Sequence, residues 1–277
     1  MQESQPSLSY VVEKTRRLDP GMSLDAFFRL LKFKVACRLK SEASNNYLSY
    51  AWWALEPMLS MSVFYVVFGL LLSQGTENFV AFLLCGLVPW LWFNKSISNA
   101  VGSIFGGRSI MLLSRVPIVL FPSEMIAQDL VKQTVVFALL LLFLSLYGIA
   151  PDIHWLALIP ISLAQLALIT ACAMLAAAIT PFIPDLRFFI TTGLMMLMFG
   201  SGIFYGYEQI TPALRPYYYL NPMASLIRAY RESLLYQQWP DFTVLGVIFA
   251  CSTLVAALTI YLITRYSDAY RRLAAVN

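Results

Sequence analysis

The chain has 277 residues, of which 59 % are Ala, Val, Ile, Leu, Met, Phe, Trp, Tyr or Cys and only 12 % are charged, and its mean hydropathy is +0.69. A soluble domain carries about 25 % charged residues, so this composition excludes one and points to an all-α integral membrane protein. The net charge of +4 says little by itself; the placement of the charges says more.

Residues 1–21 read as a polar cytoplasmic leader, with no short apolar core and cleavage site of the secretory kind anywhere in residues 1–47. Residues 22–40 follow as an amphipathic interfacial helix. Leu24, Phe27, Phe28, Leu31, Val35 and Leu39 share one face, Arg29 and Lys40 lie opposite, Lys32 sits at the edge, and Phe33 and Cys37 fall off the pattern. About 20 apolar residues are needed to cross a bilayer, and residues 48–265 supply six such runs. They are Leu48–Leu72, Phe79–Phe93 extended past Lys95 towards Gly106, a run from about Glu124 to Ala150, Trp155–Ile179, Phe188–Tyr205 and Phe242–Thr264. Residues 266–277 form a tail.

Lys and Arg near the ends of the runs set orientation. One side carries Lys14, Arg16, Arg17, Arg29, Lys32, Lys34, Arg38, Lys40, Arg108, Arg115, Arg187, Arg265, Arg271 and Arg272, and the other only Arg215, Arg228 and Arg231. Both termini are therefore expected in the cytoplasm. Residues 206–238 face outward. Pro212, Pro216 and Pro222 break helix there, and helical periodicity returns with Leu226, Tyr230 and Leu234. The stretch predicts two short interfacial or re-entrant helices, which survive at membrane depth only when buried in protein or lining a hydrated cavity.

Catalytic and metal-binding patterns are missing from the sequence. His154, beside Asp152 in an outer loop, is the single histidine, and Cys37, Cys85, Cys172 and Cys251 are scattered with no metal-ligand spacing. Gly102–Ser109 has the spacing of a phosphate-binding loop with Arg108 in the Lys position, but it trails a membrane run where such a loop follows a β-strand. It is read as a turn, and no nucleotide is expected on this chain. Ionisable groups inside membrane runs are expensive and so draw attention: Glu56, Lys95, Asp129 and Lys132. Asp129 and Lys132, three residues apart, are expected to pair on one helix face, and Glu56 and Lys95 to neutralise one another. The carboxylates do not recur in the last three runs, which argues against a proton relay. Aromatic residues are abundant, and singly they read as interface-belt or core residues. Taken together, Trp53, Tyr65, Trp92, Phe199 and Tyr205 could line a passage with stacking faces.

Three segments carry a family resemblance: YLSYAWWALEP (47–57) after the basic helix, FLLCGLVPWLWFNKSISNAVGSI (82–104) and YLNPMASLIRAYRESLL (219–235). Together, over residues 22–265, they resemble the membrane subunit of bacterial ABC exporters for cell-surface polysaccharide (O-antigen, capsule or teichoic acid). The segment RLKSEASNNYLSY departs from the Arg-Tyr and Leu-Gly pairs that many members show. The resemblance implies a homodimer in the inner membrane, with a channel on its axis for a lipid-linked polysaccharide and two copies of a separate ATPase subunit that bind ATP and Mg. It implies ATPase coupling through residues 106–117, with Arg108, Ser109 and Arg115 as contacts. It places Tyr219, Asn221, Pro222, Arg228 and Arg231 in the outer short-helix motif. Two other readings stand beside it: an ABC exporter of a small drug or lipid, and a membrane enzyme acting on surface glycans through Asp152, His154 or Glu208.

Overall fold

In the computed structural model, residues 22–45, 78–114, 116–206, 210–212, 218 and 220–276 are described, with isolated positions between 55 and 67. The expected first span, 48–72, and the expected first helix of the outer pair lie largely outside the described residues. So do Trp53, Glu56, Tyr65, Glu208, Arg115 and Tyr219.

The helices are α1 (Leu24–Asn45), α2 (Phe79–Val101), α3 (Ser103–Gly106), α4 (Arg108–Leu113), α5 (Leu120–Leu146), α6 (Leu158–Ile179), α7 (Leu186–Phe199), α8 (Pro222–Leu234), α9 (Phe242–Arg265) and α10 (Ser267–Val276), with a 3₁₀ turn at Ile153–Ala157 leading into α6. Among the described residues, four stretches are long and apolar enough to cross a membrane: α2, α5, α6 with its 3₁₀ turn, and α9. Their limits follow the apolar runs of the sequence to within a few residues.

The centre of the bundle is α2, whose apolar window is 72 % buried where that of α9 is 22 % buried. It packs against α5, α6, α7 and α8, while α9 lies along α6 and α1 along α5. Pro89 sits in the middle of α2 and cannot donate to the carbonyl one turn back. The Gln165 side chain of α6, fully buried, donates from Nε2 to the Pro89 carbonyl at 2.7 Å and so ties the two helices at that point.

The fifth run departs from expectation. Instead of continuing to Tyr205, its helix stops at Phe199 after 14 residues, about 21 Å at 1.5 Å per residue. The cause is the Gly200–Ser201–Gly202 sequence. Gly202 has φ +70°, a left-handed conformation, and a Cβ built there would lie 1.8 Å from Tyr218 Oη. Tyr218 in turn donates to the Ser201 carbonyl at 3.2 Å. The backbone thus leaves the helix and folds beneath the outer segment.

Gly202→Ala should therefore destabilise the protein both through the left-handed backbone, roughly 1–2 kcal/mol, and through displacement of Tyr218. Thermal unfolding in detergent should fall by about 4–8 °C, taking about 2–4 °C per kcal/mol for a chain of this size. Gly206→Ala, where the added methyl meets nothing within 4 Å, is the control and should leave the midpoint in place.

Candidate functional site: a buried arginine beneath α8 and a polar clamp between α1 and α5

α8 is polar in composition, yet Leu226, Tyr230 and Leu234 are all fully buried, as their spacing predicts. Its start is set by Asn221 and Pro222. The Asn221 side chain accepts from the Met223 N–H at 3.0 Å, and Pro222 occupies the first turn, where a missing N–H is harmless. Asn221 Nδ2 also donates to Ser201 Oγ at 2.9 Å and to the Gly200 carbonyl at 3.3 Å. One side chain therefore caps the outer helix and fastens it to the end of α7.

Arg231 does the same at the other end of α8. Nη1 donates to the Gly202 carbonyl and Nη2 to the Ile203 carbonyl, both at 2.7 Å, and Nε donates to the Phe82 carbonyl at 3.3 Å. The guanidinium carbon lies 3.4 Å from the centre of the Phe82 ring, well inside cation–π range. Only 6 % of Arg231 is exposed. The guanidinium thus exchanges water for three carbonyl dipoles and an aromatic face. Gly86 makes the space: a Cβ there would stand 2.7 Å from Arg231 Nη2. The sequence placed Arg231 with Arg228 and Glu232 between the apolar positions, but the structure separates them. Arg228 is exposed and donates from Nε to Glu232 at 2.6 Å, one turn away.

The buried Tyr230 hydroxyl donates to Gln165 Oε1 at 2.8 Å and stands 3.2 Å from Ser162 Oγ. Gln165 therefore links α8, α6 and the Pro89 carbonyl of α2. Neither Gln165 nor Gly86 stood out in the sequence. A lone glutamine or glycine in an apolar run carries no local signal of such a role.

On the expected cytoplasmic side, α1 lies against the lower part of α5. Glu124 of α5 takes Lys34 Nζ at 2.6 Å and Arg38 at 3.6 Å, and Lys132 pairs with Glu42 at 2.6 Å. Gln128 donates to Glu42 between them, and Lys34 also stands over the Phe121 ring at 5.1 Å. Residues 34, 38 and 42 on one helix face 124, 128 and 132 on the other, a four-residue spacing on both. Of the expected apolar face, Val35 is buried while Leu24 and Phe28 are exposed, and the contact face includes Lys34, which the sequence pattern left off it. Lys132 makes this ion pair with Glu42 of α1, where pairing with Asp129 was expected. Asp129 instead accepts from Asn99 Nδ2 on both oxygens, at 3.2 and 3.0 Å, and lies in the positive field of Lys132 and Lys95.

Gly102–Ser109 forms the short helices α3 and α4 in place of a strand–loop–helix. Gly107, between them, faces the Phe121 ring so closely that a Cβ would lie 2.3 Å from it. Arg108 is half-buried and Ser109 exposed. Phe105, Ile110, Leu112 and Leu113 are exposed apolar residues on the same segment. α10 packs on α4, and its Tyr270 hydroxyl donates to the Ala178 carbonyl at the end of α6, 2.9 Å away.

Among the aromatics, Trp92 is 3 % exposed, with its ring edge-on to Phe137 of α5. Its place is the core between α2 and α5. Phe199 is exposed, and Tyr205 is half-buried with its hydroxyl on the Phe199 carbonyl at 2.8 Å. His154 pairs with Asp152 and packs its ring on Trp239.

Comparison with known proteins decides the class. Residues 33–235 match the ABC-2 type transporter membrane family, nearly three quarters of the chain. The chain belongs to that family. This ABC-2 protein is accordingly a multi-pass protein of the inner membrane. It is 28 % identical over 228 residues to the O-antigen export system permease protein RfbA of Myxococcus xanthus, covering 82 % of this chain and 88 % of that one. It is 26 % identical over 211 residues to the protein of the same name from Klebsiella pneumoniae, covering 76 % and 82 %. To the inner membrane transport permease YadH of Escherichia coli K12 it is 22 % identical over 205 residues, covering 70 % and 80 %.

The arginine site yields a test by double-mutant cycle. Arg231→Leu takes the guanidinium donor from the Gly202 and Ile203 carbonyls, at about 1–3 kcal/mol for each one left unpaired, and should sharply reduce the monodisperse fraction in detergent. Arg231→Lys should be intermediate, because an ammonium lacks the planar fork. Gly86→Ala should destabilise the native chain yet cost little when combined with Arg231→Leu. Additive effects of the two changes would remove the claim that Gly86 exists to admit the guanidinium.

Proposed function

We propose that this ABC-2 protein is the membrane subunit of an ATP-driven exporter that carries a lipid-linked polysaccharide, of the O-antigen type, from the cytoplasmic to the outer side of the inner membrane. The observation that carries this reading is the similarity to O-antigen export permeases over most of the length of both chains. The working unit is a homodimer of six-span subunits with both termini in the cytoplasm, joined by two copies of an ATPase subunit that bind ATP and Mg. This chain supplies the passage and the mechanical linkage.

The coupling element is residues 106–117. Its exposed apolar side chains, with Arg108 and Ser109, present a mixed apolar and basic surface to the ATPase, and Arg115 is a further proposed contact. Gly107 against Phe121 gives that surface a rigid footing on α5, because interfaces packed this closely move as units. α5 in turn carries the clamp to α1, so displacement of α4 is transmitted to the basic helix at the cytoplasmic entrance. At the outer end, α8 hangs from the tip of α7 through Asn221 and Arg231. A movement of α2 or α7 therefore moves the outer helix with it.

The track itself is assigned to the aromatics Trp53, Tyr65, Phe199 and Tyr205, while Trp92 sits in the core between α2 and α5. A moving polymer must bind well enough to enter and weakly enough to leave. Aromatic faces meet that need, since they stack on sugar rings without fixing one register, whereas buried ion pairs would stall the chain.

The deciding experiment compares surface polysaccharide with lipid-linked polysaccharide inside cells lacking this chain. The expected outcome is loss from the surface with accumulation on the cytoplasmic side. Phe199→Ala and Tyr205→Ala should slow export several-fold while ATPase association stays intact. Normal surface polysaccharide in the deletion would transfer the assignment to an exporter of some other cargo, the kind of activity carried by the more general name of the Escherichia coli relative.

A further inference from the structure

Between α8 and the start of α9 lies a cavity of about 480 Å³ whose wall includes Arg228, Glu232, Gln238, Trp239 and Asp241. Its volume falls within the usual range for small-molecule sites, about 300–1,000 Å³. Its lining does not include Arg231, Phe199 or Tyr205. We propose that it is a sugar-binding subsite, which takes one pyranose unit of a glycan on the outer side of the protein. The inference rests on the polysaccharide reading and on the orientation given above.

The loop that forms the cavity is built, although it has no regular secondary structure. The Leu235 and Tyr236 N–H groups both donate to the Arg231 carbonyl, at 2.9 and 3.1 Å, and the Gln238 N–H donates to the Glu232 carbonyl at 2.9 Å. Gln237 is held at φ 52°, a left-handed conformation that costs a non-glycine residue roughly 1–2 kcal/mol and that tends to persist where function requires it. This kink carries the chain to Trp239. The indole is 50 % exposed and is braced by the rings of His154, 4.9 Å away, and Phe242, 6.1 Å away. His154 is itself held by Asp152, so the platform has support on two sides.

Around this ring stand both kinds of hydrogen-bonding group. Arg228 and the Gln238 amide supply donors; Glu232, Asp241 and the Gln238 carbonyl supply acceptors. Glu232 is oriented by Arg228 at 2.6 Å. Asp241 Oδ1 caps α9 by accepting from Thr243 N–H at 2.9 Å and Val244 N–H at 3.4 Å. Those hydrogen bonds hold its carboxyl below the ordinary carboxylate range, so it is an anion at neutral pH. A pyranose matches this set: an apolar C–H face for the indole, and a rim of hydroxyls that both donate and accept. The two carboxylates outnumber the single guanidinium, which disfavours a phosphate or an anionic lipid headgroup.

The test uses the full chain in nanodiscs of phosphatidylcholine. The probe is the oligosaccharide repeat released by mild acid from the host's own surface polysaccharide, and binding is followed by calorimetric titration. Trp239→Ala should weaken binding about tenfold and Trp239→Phe by no more than about threefold, with unchanged thermal unfolding in both. Wild-type chain that binds no oligosaccharide, or Trp239→Ala binding like wild type, overturns the subsite. Binding that disappears when phosphatidylglycerol is added to the nanodisc also overturns it, in favour of a lipid headgroup. The parent reading is judged separately: a deletion that blocks surface polysaccharide while titrations stay flat sinks the subsite alone, whereas normal surface polysaccharide in the deletion sinks the polysaccharide reading.

Discussion

One guanidinium holds three helices together. Arg231 is the point at which α2, the end of α7 and α8 meet, and it joins them through the Phe82 carbonyl of α2 and the Gly202 and Ile203 carbonyls, which lie beyond the end of α7. α7 ends at Phe199, and the Gly202 and Ile203 carbonyls that follow it lie outside any helix. Buried carbonyls left without a donor are costly. The arginine resolves two problems together: its own charge finds compensation, and the broken backbone finds donors.

That solution requires matching concessions nearby. α2 carries glycine at position 86 where an apolar side chain would otherwise add packing, and Gly202 takes a left-handed conformation where a Cβ would meet Tyr218. Tyr230 and Gln165 repeat the pattern at a smaller scale, as a buried hydroxyl and amide that satisfy one another and the Pro89 carbonyl of α2. The polar groups of this membrane bundle are therefore concentrated at places where regular helix geometry fails. The long apolar faces between those places need none.

This division explains what the sequence revealed. Long charge-poor runs located α2, α5, α6 and α9, because length and hydropathy alone determine which segments a membrane stabilises. Asn221–Pro222 was legible as a helix start because capping is local chemistry. The partners of Arg231 were not legible, since they lie at residues 82, 202 and 203, far away in the chain. Lys132 pointed to Asp129 by proximity along one helix, and the stronger ion pair was made with Glu42 of another. Trp92 showed the same limitation: nothing in its neighbours along the chain says which side of α2 is enclosed by α5. Helix identity was local information, and facing was tertiary.

The contact between α1 and α5 also encodes a direction. Its two ends have opposite polarity: cations of α1 meet Glu124 at one end, and Glu42 meets a cation of α5 at the other. An antiparallel arrangement would place Glu42 beside Glu124 and Lys34 beside Lys132, opposing like charges at both ends. Sliding by one helical turn would carry Lys34 from Glu124 to the uncharged Gln128. The two helices thus form a keyed joint that accepts one heading and one register. A purely apolar contact between two helices leaves their relative heading open; this one arrives with a compass bearing.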